Sequence, residues 1–179
     1  MFILASKSPR RAELTTMLVK DFSIIVPDID ENILVSIPSD TAKIISKYKA
    51  YKIFADHPTD TVLACDTIVV IEGELLGKPK DEKDAYRMLR KLSGKKHHVI
   101  SGFTLLSPRM EINKNVVTEV FFNDLSDDVI AAYIKTGSPF DKAGAYGIQD
   151  KEFNLVREIK GSYYNVMGLP VEELGKFIK

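Results

Sequence analysis

Apolar residues along the chain follow two patterns, short continuous runs and stripes at helical spacing. The runs predict strands, which we place at 2–5, 22–26, 61–71, 74–76, 98–106, 116–122 and 153–159. The stripes predict helices, which we place from Ser8 onward and at 39–55, 81–92, 126–135 and 170–178. Strands that alternate with helices predict an α/β protein, and the successive strands within 98–122 predict a mixed sheet.

Spacing also predicts which side of a helix is buried. In the first helix the predicted buried stripe is Leu14, Met17 and Leu18. In the second helix the residues that recur at helical spacing are Ile44, Ile45, Tyr48 and Tyr51. The third helix carries the clearest boundaries, because Asp81 is a good N-cap and Gly94 follows the last apolar position.

The composition is that of a globular chain. Of 179 residues, 45% are hydrophobic and 28% charged, and this length predicts one domain, with two lobes, over residues 1–179. Lys and Arg number 25, as do Asp and Glu, so the net charge is zero. Proteins that bind duplex DNA or anionic membranes usually carry a basic excess, so neither partner is expected. An anionic ligand would need a local cluster of positive charge.

The single cysteine, Cys65, excludes an internal disulfide and any metal site with two or more thiolates. A reducing, cytoplasmic setting is therefore expected. No stretch reaches the ~20 consecutive apolar residues of a transmembrane helix. The apolar N-terminus lacks the basic start of a signal peptide.

Residues 4–11 (LASKSPRR) combine a strand end, a polar turn and a helix start. Two hydroxyls, two guanidiniums and the free N–H groups of a helix N-terminus suit a phosphate chain. The alternative is an ordinary capped helix with exposed Arg10 and Arg11, and spacing alone does not decide between the two interpretations.

Asp66 interrupts a strand-forming run, 64–70 (ACDTIVV). A lone buried carboxylate is unfavourable, so we expect Asp66 at a cleft, as a metal ligand or general base, over a partnered structural role. A second acidic group, at 27–31 with Asp28, Asp30 and Glu31, could hold a hard cation or could be a solvated turn.

Three further features are weaker signals. Lys78 follows Gly77 in a short loop, GKP, that is common in proteins. The segment 141–149 has glycines that allow close approach to a ligand, and Gln149 could read a base edge, although a flexible loop explains the same pattern. Lys49 and Lys52 both border the apolar side of the second helix, and periodicity does not choose between them.

Taken together, the motifs resemble one family, the Maf nucleoside triphosphate pyrophosphatases, also called septum-formation inhibitor proteins. The matching pieces are LASKSPRR (4–11), ACDTIVV (64–70), GKP (77–79), LSGKKHHV (92–99), KAGAYGIQ (142–149) and GSYYNVMGLP (161–170). They occur in family order over nearly the whole chain, with Ser101 where the family more often has Thr.

The resemblance implies an elongated mixed β-sheet flanked by helices, with two lobes around a central cleft, similar to the inosine-triphosphatase fold. It implies hydrolysis of a nucleoside triphosphate to the monophosphate and pyrophosphate, with a divalent cation, Mg²⁺ or Mn²⁺. The branch it matches is the one that acts on dTTP and UTP. A homodimer is expected from the same resemblance.

Carried over position by position, the resemblance assigns roles to nine residues. The catalytic residues would be Asp66, Lys49 and Lys78, which settles Lys49 over Lys52. The substrate-binding residues would be Ser6, Arg10, Arg11, Thr67 and Gln149. The metal ligands would be Glu31 and Asp66.

Two other functions compete with this hypothesis. The family's septum name is consistent with a non-catalytic, nucleotide-binding regulator of cell division, although such a binder would not need Asp66 as a base. A sugar nucleotidyltransferase also begins with a strand and a phosphate loop, but that loop is normally rich in glycine, and residues 6–11 contain none.

Overall fold

The computed structural model describes residues 1–29 and 38–178. The chain divides into two compact units, which are described separately below. Unit 1 comprises Met1–Thr67, Ile100–Val116 and Tyr164–Lys179, and unit 2 comprises Ile68–Val99 and Val117–Tyr163. The proposed metal ligand Glu31 lies outside the described residues.

A mixed sheet runs through the described residues. Its strands are β1 (Phe2–Ala5), β2 (Ser23–Ile24), β3 (Thr61–Ile71), β4 (Glu74–Leu76), β5 (Lys96–Ser107), β6 (Met110–Phe122) and β7 (Val156–Lys160). Their order is β2-β1-β3-β5-β6-β7, with β4 paired to β3. β1 is parallel to β2 and β3, whereas β4 is antiparallel to β3 and β7 to β6. The predicted mixed α/β class is therefore confirmed.

Helices occupy most of the intervening segments. They are α1 (Pro9–Thr15), α2 (Pro38–Phe54), α3 (Glu82–Leu92), α4 (Asp127–Lys135), α5 (Tyr163–Met167) and α6 (Val171–Leu174). Short 3₁₀ turns at Ser138–Asp141, Ala143–Ala145 and Lys151–Phe153 follow α4. Nowhere in the part of the chain that is described does a helix reach the length and apolar character needed to cross a membrane.

In unit 1, β1 and β3 are buried on both faces of the sheet. One face, with Ile3, Val62 and Ala64, packs against Ala50 and Ile53 of α2. The other face packs against α1 and the C-terminal segment, and its buried residues include Leu4, Leu63, Cys65, Leu14 and Leu169. Burial on both faces explains why these strands are continuous apolar runs with no alternation.

In unit 2, the inward sides of α3 and α4 match the sequence pattern. The buried residues of these helices are Ala85, Met88, Leu89, Leu92, Ile130, Tyr133 and Ile134. Asp81 caps α3 by accepting a hydrogen bond from the Asp84 N–H at 2.8 Å. Ser126 caps α4 in the same manner through the Val129 N–H. A buried aromatic group of His97, Phe122 and Tyr146 packs edge to face.

Two predicted helix faces are wrong in part. Met17 is 53% exposed because α1 ends at Thr15, where the Thr15 and Thr16 hydroxyls bond back to the carbonyls of Arg11 and Glu13. In α2, Tyr48 and Tyr51 are 56% and 44% exposed, and the buried side instead carries Ala42, Ile45, Ser46, Lys49, Ala50 and Ile53.

Strand bounds agree for β1, β3 and β4 and differ for the other strands. β3 and β4 have the predicted limits. β6 starts at Met110, earlier than predicted, because a two-residue turn links it directly to β5. β2 is limited to Ser23–Ile24, and the closing helix α6 spans only Val171–Leu174.

Candidate active site

Two serine hydroxyls close the turn between β1 and α1. Ser6 Oγ accepts a hydrogen bond from the Ser8 N–H at 3.2 Å. Ser8 Oγ caps α1 by accepting from the Arg11 N–H at 3.5 Å. Pro9 fits the first helical position, where no N–H partner is needed. This cap places Arg10 and Arg11 in the first turn of the helix.

The Arg11 guanidinium joins three separate segments of unit 1. Its Nε donates to the Gly168 carbonyl at 2.9 Å, and its Nη2 donates to Thr67 Oγ1 at 3.2 Å. Its Nη1 lies 3.5 Å from Ser6 Oγ. These contacts use three of the five N–H donors of the guanidinium. Among the residues that the structure describes, two donors, one on each terminal nitrogen, have no partner and could bind a ligand.

A chain of hydroxyls continues from Arg11 into the sheet. Thr67 Oγ1 lies 2.9 Å from Ser101 Oγ on β5, and Ser101 Oγ donates to the Asn165 carbonyl at 3.1 Å. Ser101 and Asn165 are fully buried, whereas Thr67 is half-buried. Thr67 is thereby held on three sides by Arg11, Ser101 and the Gly168 carbonyl.

Lys49 and Asp66 form an ion pair between α2 and β3. Lys49 Nζ donates to Asp66 Oδ1 at 2.8 Å, and only 7% and 14% of the two side chains are exposed. In the sequence Asp66 lies among apolar residues, and periodicity alone does not choose between Lys49 and Lys52. In the structure the partner of Asp66 is Lys49. Asp66 and Thr67 are also the two half-buried positions within an otherwise mostly buried stretch of β3.

The predicted residues of unit 1 form two groups on opposite faces of β3. Alternation along a strand puts Asp66 on the side of Ala64, which faces α2, and Thr67 on the side of Cys65, which faces α1. One group is Lys49 with Asp66. The other is Ser6, Arg11 and Thr67.

Lys78 and Gln149 belong to unit 2, where a backbone contact connects their loops. The Gly144 N–H donates to the Gly77 carbonyl at 3.0 Å. Gly144 has φ = +71°, and a Cβ there would lie 2.9 Å from Val69 Cγ2. Glycine is therefore required both by the conformation and by the close approach. Lys78 is exposed and makes no ion pair within residues 1–29 and 38–178.

Burial shifts the pKa values of a thiol in unit 1 and of an imidazole in unit 2. Burial raises the pKa of the Cys65 thiol, whose Sγ lies 3.3 Å from the Gly168 carbonyl. Such a thiol behaves as a small apolar residue and not as a nucleophile. Burial lowers the pKa of His97 to about 3, and its neutral ring contacts the Tyr146 hydroxyl at 2.8 Å through Nε2.

The acidic groups of the described residues do not form a ready-made metal site. Across residues 1–29 and 38–178 no three His, Cys, Asp or Glu side chains are close enough to hold an ion together. Asp66 alone is a half-buried carboxylate at the candidate site. Mg²⁺ commonly binds through one or two protein carboxylates plus substrate phosphates, so Asp66 fits such an ion in the presence of a nucleotide.

Several residues of the site carry no clear sequence signal. Gly168 and Asn165 act through their carbonyl oxygens, which every residue possesses. Ser101 could have been noticed as a hydroxyl within an apolar strand. Tyr133 binds Asp150 in the loop that contains Gln149, and these two residues are far apart in the sequence.

Comparison with known proteins connects these features to one group of enzymes. Proteins named dTTP/UTP pyrophosphatase from Thermosipho africanus, Thermococcus onnurineus and Aquifex aeolicus are 48%, 44% and 40% identical to this chain. The alignments cover 96–99% of this chain and 88–95% of the relatives. The solved structure of the Staphylococcus aureus Ham1 protein is 16% identical, covers 98% of this chain and 96% of its own, and superposes with a TM-score of 0.56. At that identity the likeness shows the fold alone.

The family model described as Maf-like protein matches residues 1–179. The resemblance drawn from the six sequence motifs is confirmed, and the chain belongs to the Maf family.

Proposed function

We propose that this chain hydrolyses dTTP and UTP to the nucleoside monophosphate and pyrophosphate. The relatives that carry the name dTTP/UTP pyrophosphatase align over nearly the full chain at 40–48% identity. The observation that carries the proposal is the Lys49–Asp66 pair, a carboxylate kept at the point where a buried strand becomes half-exposed. A buried ion pair adds little net stability compared with packed apolar residues, which favours a functional role for this carboxylate.

Asp66 is the general base of the proposed reaction. A water oxygen forms a bond to the α-phosphorus as the bond to the bridging oxygen breaks, the water proton passes to Asp66, and pyrophosphate leaves. Lys49 orients the Asp66 carboxylate by donating a hydrogen bond to Oδ1.

Basic residues bind the triphosphate in this proposal. In unit 1, Arg10, the two remaining N–H donors of Arg11 and Ser6 are the proposed phosphate contacts, and in unit 2 Lys78 is the proposed phosphate contact. The zero net charge of the chain makes such a local cluster necessary, because no overall basic field attracts the nucleotide.

A divalent cation, Mg²⁺ or Mn²⁺, is part of the proposal. Asp66 would contribute one ligand and Glu31, outside the described residues, a second. When bound, such an ion neutralises phosphate oxygens.

Gln149 of unit 2 is the residue proposed to recognise the base, and Thr67 of unit 1 is proposed to bind the substrate. The Gln149 amide offers one acceptor and two donors, which match the edge of uracil or thymine. A homodimer and a reducing cytoplasm complete the proposal. The competing function is a non-catalytic regulator of division that binds nucleotide without cleaving it.

A panel of nucleotides with Mg²⁺ tests the proposal through release of pyrophosphate. We expect dTTP and UTP to be cleaved faster than ATP, GTP or 7-methyl-GTP. Asp66→Asn keeps the shape and removes the base, so turnover should fall by roughly 10²–10⁴-fold with nucleotide binding retained. Asp56→Asn, the same change at an exposed position just after α2, is the matched control.

Two results would reject parts of the proposal. Nucleotide binding by the wild type without pyrophosphate release would favour the regulator. Full turnover by Asp66→Asn would remove Asp66 as the base.

A further inference from the structure

A buried hydrogen-bond cluster in unit 2 holds the segment that contains Gln149. The Tyr133 hydroxyl donates to Asp150 Oδ2 at 2.6 Å and accepts from the Gly147 N–H at 2.9 Å. Ser138 Oγ donates to the same Asp150 oxygen at 2.6 Å. One phenolic oxygen therefore binds both sides of Gln149, two residues before it and one residue after it.

The Tyr133 hydroxyl has a fixed position because its ring is fully enclosed. Tyr133 is 0% exposed on the inward side of α4, and its ring packs against Phe153 with centroids 5.0 Å apart. Burial and the Asp150 hydrogen bond raise the pKa of Tyr133. The phenol keeps its proton at neutral pH, so it can donate to Asp150 and accept from Gly147 at the same time.

Further contacts restrain the start of the same segment. Lys142 Nζ donates to the Ser138 carbonyl at 2.7 Å and to Ser138 Oγ at 3.0 Å. The Gly144 N–H is bound to Gly77, as described above. By contrast, the side-chain amide of Gln149 is half-buried and makes no hydrogen bond to any other part of the chain that the structure describes. The position of that amide therefore depends on the backbone on either side.

We propose that Tyr133, acting with Asp150, is a positioning residue that sets how strictly Gln149 discriminates between nucleotide bases. The inference rests on the proposed function, in which Gln149 reads the pyrimidine edge. A segment already ordered before binding does not have to be ordered by the nucleotide, which lowers KM. A fixed amide also satisfies one base edge and leaves mismatched edges with unpaired polar groups, which gives selectivity.

Tyr133→Phe tests the inference because it keeps the ring and removes only the oxygen. We expect KM for UTP and dTTP to rise about 5- to 20-fold, since hydrogen bonds of roughly 1 kcal/mol each are lost. The preference for UTP over ATP should fall by a similar factor, and kcat should change less than about twofold. Tyr86→Phe is the matched control, because it removes an exposed hydroxyl that binds Asp127 on the same unit.

Asp150 variants provide a second route if Tyr133→Phe does not fold. Asp150→Asn retains an oxygen that accepts from both hydroxyls and should behave as the wild type. Asp150→Ala removes that acceptor and should reproduce the KM and selectivity changes of Tyr133→Phe.

The rate of hydrogen exchange at the Gly147 amide measures directly how firmly Tyr133 holds this segment, and the measurement does not require catalysis. This amide should exchange faster in Tyr133→Phe than in the wild type or in Tyr86→Phe. Unchanged exchange would overturn the inference, and so would faster exchange with unaltered KM and selectivity, which would mean a structural role only. A wild type that cleaves no nucleotide would refute the proposed function itself, and the role of Tyr133 in base selection would fall with it.

Discussion

At the scale of single residues, the polar groups of the candidate site differ in how many hydrogen bonds they already make within the protein. Within the described ranges, Arg11 uses three of its five N–H donors in hydrogen bonds to the protein, whereas Lys78 uses none. Arg11→Ala would therefore disturb structure and binding together. Lys78→Ala would therefore test more cleanly the positive charge that the proposal places at the triphosphate.

His97 should make the stability of the protein depend on pH. Its pKa is lowered from 6.5 to about 3 by burial, so between these values the unfolded chain binds a proton that the folded chain does not. Stability therefore falls as the pH drops from 6.5 towards 3, by up to about 1.4 kcal/mol per pH unit. His97→Gln should flatten the dependence of unfolding free energy on pH, measured with denaturant at pH 7 and pH 5.

His98→Gln serves as the control for that measurement. His98 points to the other face of β5, and its side chain is 42% exposed. Because burial is the larger cause of the lowered pKa of His97 and the charge of His98 the smaller, His98→Gln should keep most of the wild-type slope. Equal slopes in the wild type and His97→Gln would show that His97 does not stay neutral in the folded protein.

At the scale of elements, the approach of β5 to α2 determines where Lys49 lies. A Cβ on Gly102 would come within 2.2 Å of the Lys43 nitrogen and 2.3 Å of the Ala42 carbonyl carbon. Backbone atoms cannot rotate away as the end of a side chain can. The glycine therefore allows α2 to pack closely enough for Lys49 to reach Asp66.

Gly102→Ala should consequently displace α2 and destabilise unit 1. We expect a loss of about 3 kcal/mol in unfolding free energy, at the upper end for overpacking, together with a drop in turnover. Gly77→Ala, where no atom lies within 4 Å, should change stability by less than about 0.5 kcal/mol. Equal unfolding free energies of the two variants, measured by chemical denaturation, would contradict this account.

The sequence predicts elements best where local signals and burial agree. β3 was placed correctly because a run of β-branched residues is also buried on both faces. The inward side of α2 was misjudged because Lys49 and Ser46 are buried there, and both find partners that only the tertiary structure provides. Tyr48 and Tyr51 are consequently turned outward.

The candidate site was predictable by residue type and not by arrangement. Ser6, Arg11, Thr67, Lys49 and Asp66 were all named from motifs. Their separation onto two faces of β3 follows from strand alternation, but only once the register with α1 and α2 is known. The cluster around Tyr133 depends on contacts between segments more than ten residues apart, which periodicity does not reveal.

At the scale of the whole molecule, the metal binding proposed above should depend on the nucleotide. Mg²⁺ alone should raise the melting temperature very little, because the described residues contain no group of three ligands. Mg²⁺ with a non-hydrolysable UTP analogue should raise it clearly, since phosphate oxygens complete the coordination. A large shift with Mg²⁺ alone, measured by thermal denaturation, would indicate a preformed site.

Cys65 gives the molecule a built-in reporter of opening. It is the only thiol of the chain, it is fully buried, and its sulfur lies against the same Gly168 carbonyl that receives the Arg11 guanidinium. A thiol reagent can modify it only after this part of the core of unit 1 has opened. The rate of modification therefore measures how often unit 1 opens beneath the Arg11 contacts, without any label having to be introduced.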